Sequence, residues 1–131
     1  MKLLSYAVPV LILLLSFFYN TNPFIVKEEA RQAYRYLEPA RYRWNDSLTN
    51  EAENKALDMA HKQQNNSILK NEKTIEFRFA GASNGQEAIQ QFLASKDVPS
   101  FASQLDIGIG YVKCDIGKKT SYTCIVIVKQ P

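Results

Sequence analysis

The run Cys124-Ile125-Val126-Ile127-Val128 does not alternate between apolar and polar side chains, so a strand built from it must be buried on both faces. Such a strand needs one layer of structure above it and another below. Helices can supply both. From Val26 to Leu37 the apolar positions Ala30, Ala33, Tyr34 and Leu37 recur at helical spacing, with Glu28 and Glu29 near the positive end of the helix dipole and Pro39 marking the end. A second helix starts after Trp44, where Asn45, Asp46 or Ser47 can cap exposed backbone N–H groups. Leu48, Ala52, Ala56, Met59 and Ala60 then form one stripe. A third follows the turn Gly81 to Gly85, with Ser83 and Gln86 as a capping box. It carries Ala88, Ile89, Phe92 and Leu93 on one side and stops before Pro99. Three helices and a doubly buried strand predict an α/β fold, a three-layer α-β-α sandwich.

The strand content fits that expectation. Thr74 to Phe79 alternates strictly, with Ile75, Phe77 and Phe79 on one face and Glu76 and Arg78 on the other, a half-buried strand whose acid points to solvent. The preceding stretch, Gln63 to Lys73, is polar and Asn-rich and reads as a loop. Asp106 to Cys114 and Tyr122 to Lys129 flank a turn around Gly117, the pattern of a C-terminal antiparallel hairpin with a loop longer than the tightest type. Gly108 and Gly110 alternate with Ile107, Ile109 and Tyr111, so one face of that strand offers bare backbone on which a helix can sit close. The hairpin brings Cys114 and Cys124 onto neighbouring strands, and a disulfide between them is expected, with a bulge or wide loop absorbing the offset. Closing a loop of roughly ten residues in this way contributes on the order of 2 to 3 kcal/mol.

The N-terminus reads Met-Lys, then an apolar or weakly polar run from Leu3 to Tyr19, then Asn20, Thr21, Asn22 and Pro23. A charge, a greasy core and a polar exit are the parts of a signal peptide. Residues 1–22 are therefore expected to be a signal peptide or, if uncleaved, a signal anchor, and 26–131 a single domain exported from the cell. The run spans roughly 25 Å as a helix, slightly short for a bilayer core, and Pro9 weakens it. Two cysteines agree with an oxidising compartment. The sequons at Asn45 and Asn65 could accept glycans. With a formal net charge of +3 and 22% charged residues, the balance is too even to predict nucleic acid as a partner. A membrane is expected as partner only if the N-terminal segment stays in place.

Candidate chemistry is sparse. Ser100 and Ser103 have no His or Lys base nearby in sequence and no strained Gly-x-Ser-x-Gly turn. Gly81-Ala82-Ser83-Asn84-Gly85 lacks the Gly-Lys-Ser/Thr ending of a phosphate loop. His61, the single histidine, is expected to be a solvated residue at a frayed helix end. Tyr34, Tyr36, Tyr42 and Trp44 mix with Arg31, Arg35, Arg41 and Arg43, residue types that interfaces favour. The first expectation is core aromatics with arginines reaching water. If a partner surface exists, Tyr34, Arg35 and Tyr42 mark it.

The motif Arg43-Trp44-Asn45-Asp46-Ser47-Leu48, the small residues Ala52, Ala56, Met59 and Ala60 along the next helix, and Ala88 with Phe92 resemble the CAP superfamily of secreted proteins. So do Ile107-Gly108-Ile109-Gly110-Tyr111, Cys114, Tyr122-Thr123-Cys124 and Pro131, which are similar to the family's Gly-x-Gly strand and closing Tyr-x-Cys motif. The resemblance covers nearly all of the chain after Val26 and implies an α-β-α sandwich. It also implies a metal site of two His and two Glu, and here the chain departs from the pattern. The first His falls near Asn66 or Ser67, the second Glu near Ser95, and the loop for the second His is replaced by Lys96 to Leu105, which has none. Glu76 alone could stand for the remaining acid. The resemblance with these departures implies a degenerate member that binds rather than catalyses, with no metal or other cofactor and with a lipid, a sterol or a surface protein as ligand. An unrelated secreted α/β module such as a cystatin-like inhibitor is the alternative, against which stands the missing Gln-x-Val-x-Gly loop.

Overall fold

A computed structural model describes residues 22–60, 62, 65–98 and 103–130. Residues 1–21 of the expected signal segment 1–22, His61, Ser100 and the closing Pro131 lie outside the described residues. Over the described residues the chain is mixed α/β, with six strands in one sheet and three helices. In chain order these are β1 (Phe24–Ile25), α1 (Lys27–Arg35), β2 (Tyr42–Trp44), α2 (Asp46–Ala60), β3 (Ser67–Lys70), β4 (Thr74–Ala80), α3 (Gly85–Ala94), β5 (Leu105–Ile116) and β6 (Lys119–Lys129). The strand order is β1-β5-β6-β4-β3, with β2 also on β5. All pairings are antiparallel except β2 with β5.

β6 is central, between β5 and β4, and Cys124 to Val128 are at most 1% exposed. The even-numbered residues Cys124, Val126 and Val128 belong to a core with Ala30, Ala33, Ile89 and Phe92, which comes from α1 and α3. The odd-numbered Ile125 and Ile127 join Leu48, Ala52, Ala56 and Met59 from α2. Successive strand residues point to opposite faces, so the two clusters lie on opposite sides of the sheet. Aromatic rings fill the first: Phe77 and Phe92 meet edge to face at 4.9 Å.

The glycine pair of β5 sets the distance on the α2 side. A Cβ on Gly108 would fall 2.2 Å from the carbonyl carbon of Leu48, and one on Gly110 2.5 Å from that of Ala52. Backbone therefore lies on backbone, as the alternation of glycine with Ile107, Ile109 and Tyr111 predicted. A third close contact joins α1 to the start of α3, where a Cβ on Gly85 would meet the Glu29 carbonyl oxygen at 2.0 Å. There the Glu29 carboxylate accepts a hydrogen bond from the Gly85 N–H at 2.6 Å, an acid at the positive end of a helix.

Several expectations are corrected. The expected Cys114–Cys124 disulfide is not formed, and both cysteines are free and buried. β5 and β6 join through a two-residue loop of Gly117 (φ +62°) and Lys118, since Ile116 pairs with Lys119. In that register Cys114 faces Ser121 and Cys124 faces Tyr111. The thiols are thus an odd number of positions out of register, which puts Cys114 with α2 and Cys124 with α1 and α3. The segment expected as a loop contains β3, which pairs with β4 from Ser67–Arg78 to Lys70–Ile75. The cap of α3 lies one residue later than expected: Asn84 Oδ1 accepts from Glu87 N at 2.9 Å, while Glu87 Oε2 accepts from Ser83 N at 3.0 Å. Leu93, assigned to the buried side of that helix, is 51% exposed.

Candidate functional site

Glu76 is buried, not solvent-facing as its strand alternation suggested: it sits beside Ile127 of β6, and the side chains of Lys55 from α2 and Arg78 close over its carboxylate. Its Oε1 accepts from Lys55 Nζ at 2.5 Å and its Oε2 from Arg78 Nε at 2.5 Å. Lys55 reaches Glu51 as well, at 3.2 Å. The hydrogen bond to Glu76, with the neighbouring negative charge, raises the Lys55 pKa and keeps that side chain cationic. Both oxygens of the one acid that the resemblance would assign to a metal are therefore engaged by cations. Asn66 and Ser67, near which the first His would fall, serve the sheet: Asn66 Oδ1 accepts from Ala80 N at 2.7 Å and Ser67 opens β3. Ser95 follows the last turn of α3, its N–H donating to Phe92 O. Among the described residues no three His, Cys, Asp or Glu side chains gather where they could hold a metal ion.

The suggested partner surface does not form a common exposed face. Tyr42 is 3% exposed and sits in the core against Phe92, with ring centroids 5.9 Å apart. Burial raises its pKa. Tyr34 is half-buried, and its hydroxyl donates to Tyr42 O at 3.0 Å and accepts from Trp44 N at 3.3 Å. Arg35 alone of the three is exposed. Trp44 packs edge-on against Tyr34 at 5.3 Å, and its indole N–H donates to Asp46 Oδ1 at 3.1 Å. Asn45 caps α2, accepting from Leu48 N at 3.0 Å and donating to Asp106 at 3.4 Å. Asp106 also takes Arg43 at 2.7 Å, and the guanidinium holds its carboxyl below the usual carboxylate range. The other sequon residue, Asn65, is exposed just ahead of β3.

A pocket of about 110 Å³ opens beside Trp44, between the first turns of α1 and α2. Thr49 and Glu53 of α2 line it. Both are buried, at 8% and 6% exposure. Thr49 Oγ1 has no hydrogen-bond partner, and no described residue makes a hydrogen bond or ion pair with the Glu53 carboxylate. The sequence reading missed both. On a helix at about 100° per residue, Thr49 falls within the apolar arc that runs from Leu48 to Ala60 and Glu53 at its margin. A carboxylate at the margin of a buried stripe was the available signal.

No family model, curated protein or solved structure matches the chain.

Proposed function

We propose that this chain is a secreted, degenerate CAP-like domain, a three-layer α-β-α sandwich that acts by binding and not by catalysis. Support for the kinship comes from the order of its parts. The Trp-Asn opening of α2, the small residues along that helix and the Gly108/Gly110 ridge that receives them stand in the family's sequence order. Support for export comes from the three-part N-terminal segment.

One observation carries the functional reading. Glu76 has Lys55 and Arg78 on its two oxygens, so the acid that would have bound a cation is held by the protein's own charges. A carboxylate saturated in this way is a poor metal ligand and a poor general base, because either role requires taking from a buried acid the cations that neutralise it. Polar groups without partners are found instead at the pocket beside Trp44, which makes that pocket the favoured place of ligand contact.

Calorimetric titration of the purified domain with zinc tests the reading. The expected result is no stoichiometric binding. Tight one-to-one binding that is abolished in Glu76→Gln overturns it.

A further inference from the structure

The pocket beside Trp44 exists because two strands leave the same edge of β5. β1 pairs with Lys113 and Val112 and gives way to α1 after Val26, whose N–H donates to Tyr111 O at 2.8 Å. β2 pairs with Leu105 to Ile107 and gives way to α2 after Asn45, whose N–H donates to Ile107 O at 2.8 Å. Ile109 lies between them. The carbonyls of Ile107 and Tyr111 both point to this edge, so that of Ile109, in step with them, points there too, into a gap that neither strand fills.

Three acceptors therefore belong to residues that line one pocket and have no donor among the described residues: the Glu53 carboxylate, Thr49 Oγ1 and the Ile109 carbonyl. Glu53 is only 6% exposed as a residue, and its carboxylate, unlike the fully enclosed Thr49 Oγ1, meets solvent at the pocket, where an entering cation can replace water and supply the missing charge. A primary ammonium carries three N–H donors and one positive charge, and an indole wall attracts it further. Lys27 and Arg31 stand exposed at the mouth, where they oppose a plain cation but suit a ligand whose outer end is negative. About 110 Å³ compares with roughly 30 Å³ for each water in the liquid, so the ammonium and a short chain fit inside and the outer group stays at the rim.

We propose that this pocket binds the ammonium end of a small zwitterion of the amino-acid class. Glu53, Thr49 and the Ile109 carbonyl accept its N–H groups, and Lys27 and Arg31 meet its carboxylate. The proposal rests on the reading of the domain as a binder and adds the chemistry of what it binds.

Trp44 is the single tryptophan of the chain and lines the pocket, so its fluorescence reports occupancy. Titration with β-alanine should change its emission saturably, while propionate, which has the same carbon chain without the ammonium, should not. Glu53→Gln, nearly isosteric, should weaken β-alanine binding about tenfold or more, and Thr49→Val by a smaller factor. Propionate matching β-alanine, a Glu53→Gln variant that binds unchanged, or no saturable response from the wild type would each overturn the assignment. Failure here leaves the zinc result standing, and stoichiometric zinc binding leaves this one standing, so the two claims fall separately.

Discussion

Gly110 lies so close beneath Ala52 that a Cβ on it would sit 2.5 Å from the Ala52 carbonyl carbon. Neither backbone can retreat without lifting α2 from β5, so Gly110→Ala should destabilise the domain by about 3 kcal/mol in urea unfolding, the upper end for overpacking a core. Gly81→Ala is the control. It meets nothing within 4 Å but holds φ at +88°, and it should cost only about 1 to 2 kcal/mol of left-handed strain.

The two thiols face opposite sides of the sheet. In the native protein neither should react with a thiol reagent, and in denaturant without reductant both should react at once, because no bridge exists to hide them.

Burial pushes the Cys124 thiol up to about 12 from an ordinary value of 9.0. A thiol acid raised on folding is protonated in the native state while the unfolded chain releases its proton. The stability it carries is therefore intact below pH 9 and lost as pH climbs from 9 towards 12. Denaturant midpoints across that window should fall more steeply for the wild type than for Cys124→Ala, measured against each protein's own value at pH 8.

Glu76 holds Lys55 and Arg78 together across α2 and β4. Glu76→Gln should cost about 2 kcal/mol, less than a fully buried pair because Lys55 is 42% exposed. Most of that loss should persist in half-molar salt, which screens surface charges but not a carboxylate only 4% exposed.

Of the two sequons, only Asn65 should carry a glycan in protein secreted from eukaryotic cells, read by intact mass before and after glycosidase. Asn45 spends its side chain on the α2 cap and on Asp106. Asn45→Ala should accordingly lose about 1 kcal/mol of stability.

Much of this fold was legible because burial leaves a period. The unbroken apolar run at Cys124 to Val128 announced a strand covered twice, and Gly108 and Gly110 announced a close neighbour. The small residues of α2 supplied that neighbour. What stayed hidden has no period of its own. β3 is exposed throughout and exists only because β4 offers it an edge, so Ser67 to Lys70 shows no pattern that separates it from a loop. Alternation along β4 tells which face Glu76 takes but not that Lys55 and Arg78 close over it there. The disulfide failed on parity. Once the turn is two residues long, Cys114 and Cys124 must take opposite faces, a parity that the wider loop expected from the sequence does not impose. At the candidate site, Trp44 was visible as an aromatic in a basic stretch, whereas Glu53 was lost among the polar residues that flank the stripe of α2.

The proposed sandwich requires β6 to be interior, with α2 on one face and α1 and α3 on the other. Residue-resolved amide hydrogen exchange measures this directly. The N–H groups of Ile125 to Val128 should exchange only through global unfolding, with free energies equal to those from urea, while the β3 edge exchanges much faster. Exchange at Ile125 to Val128 as fast as that of β3 would contradict it.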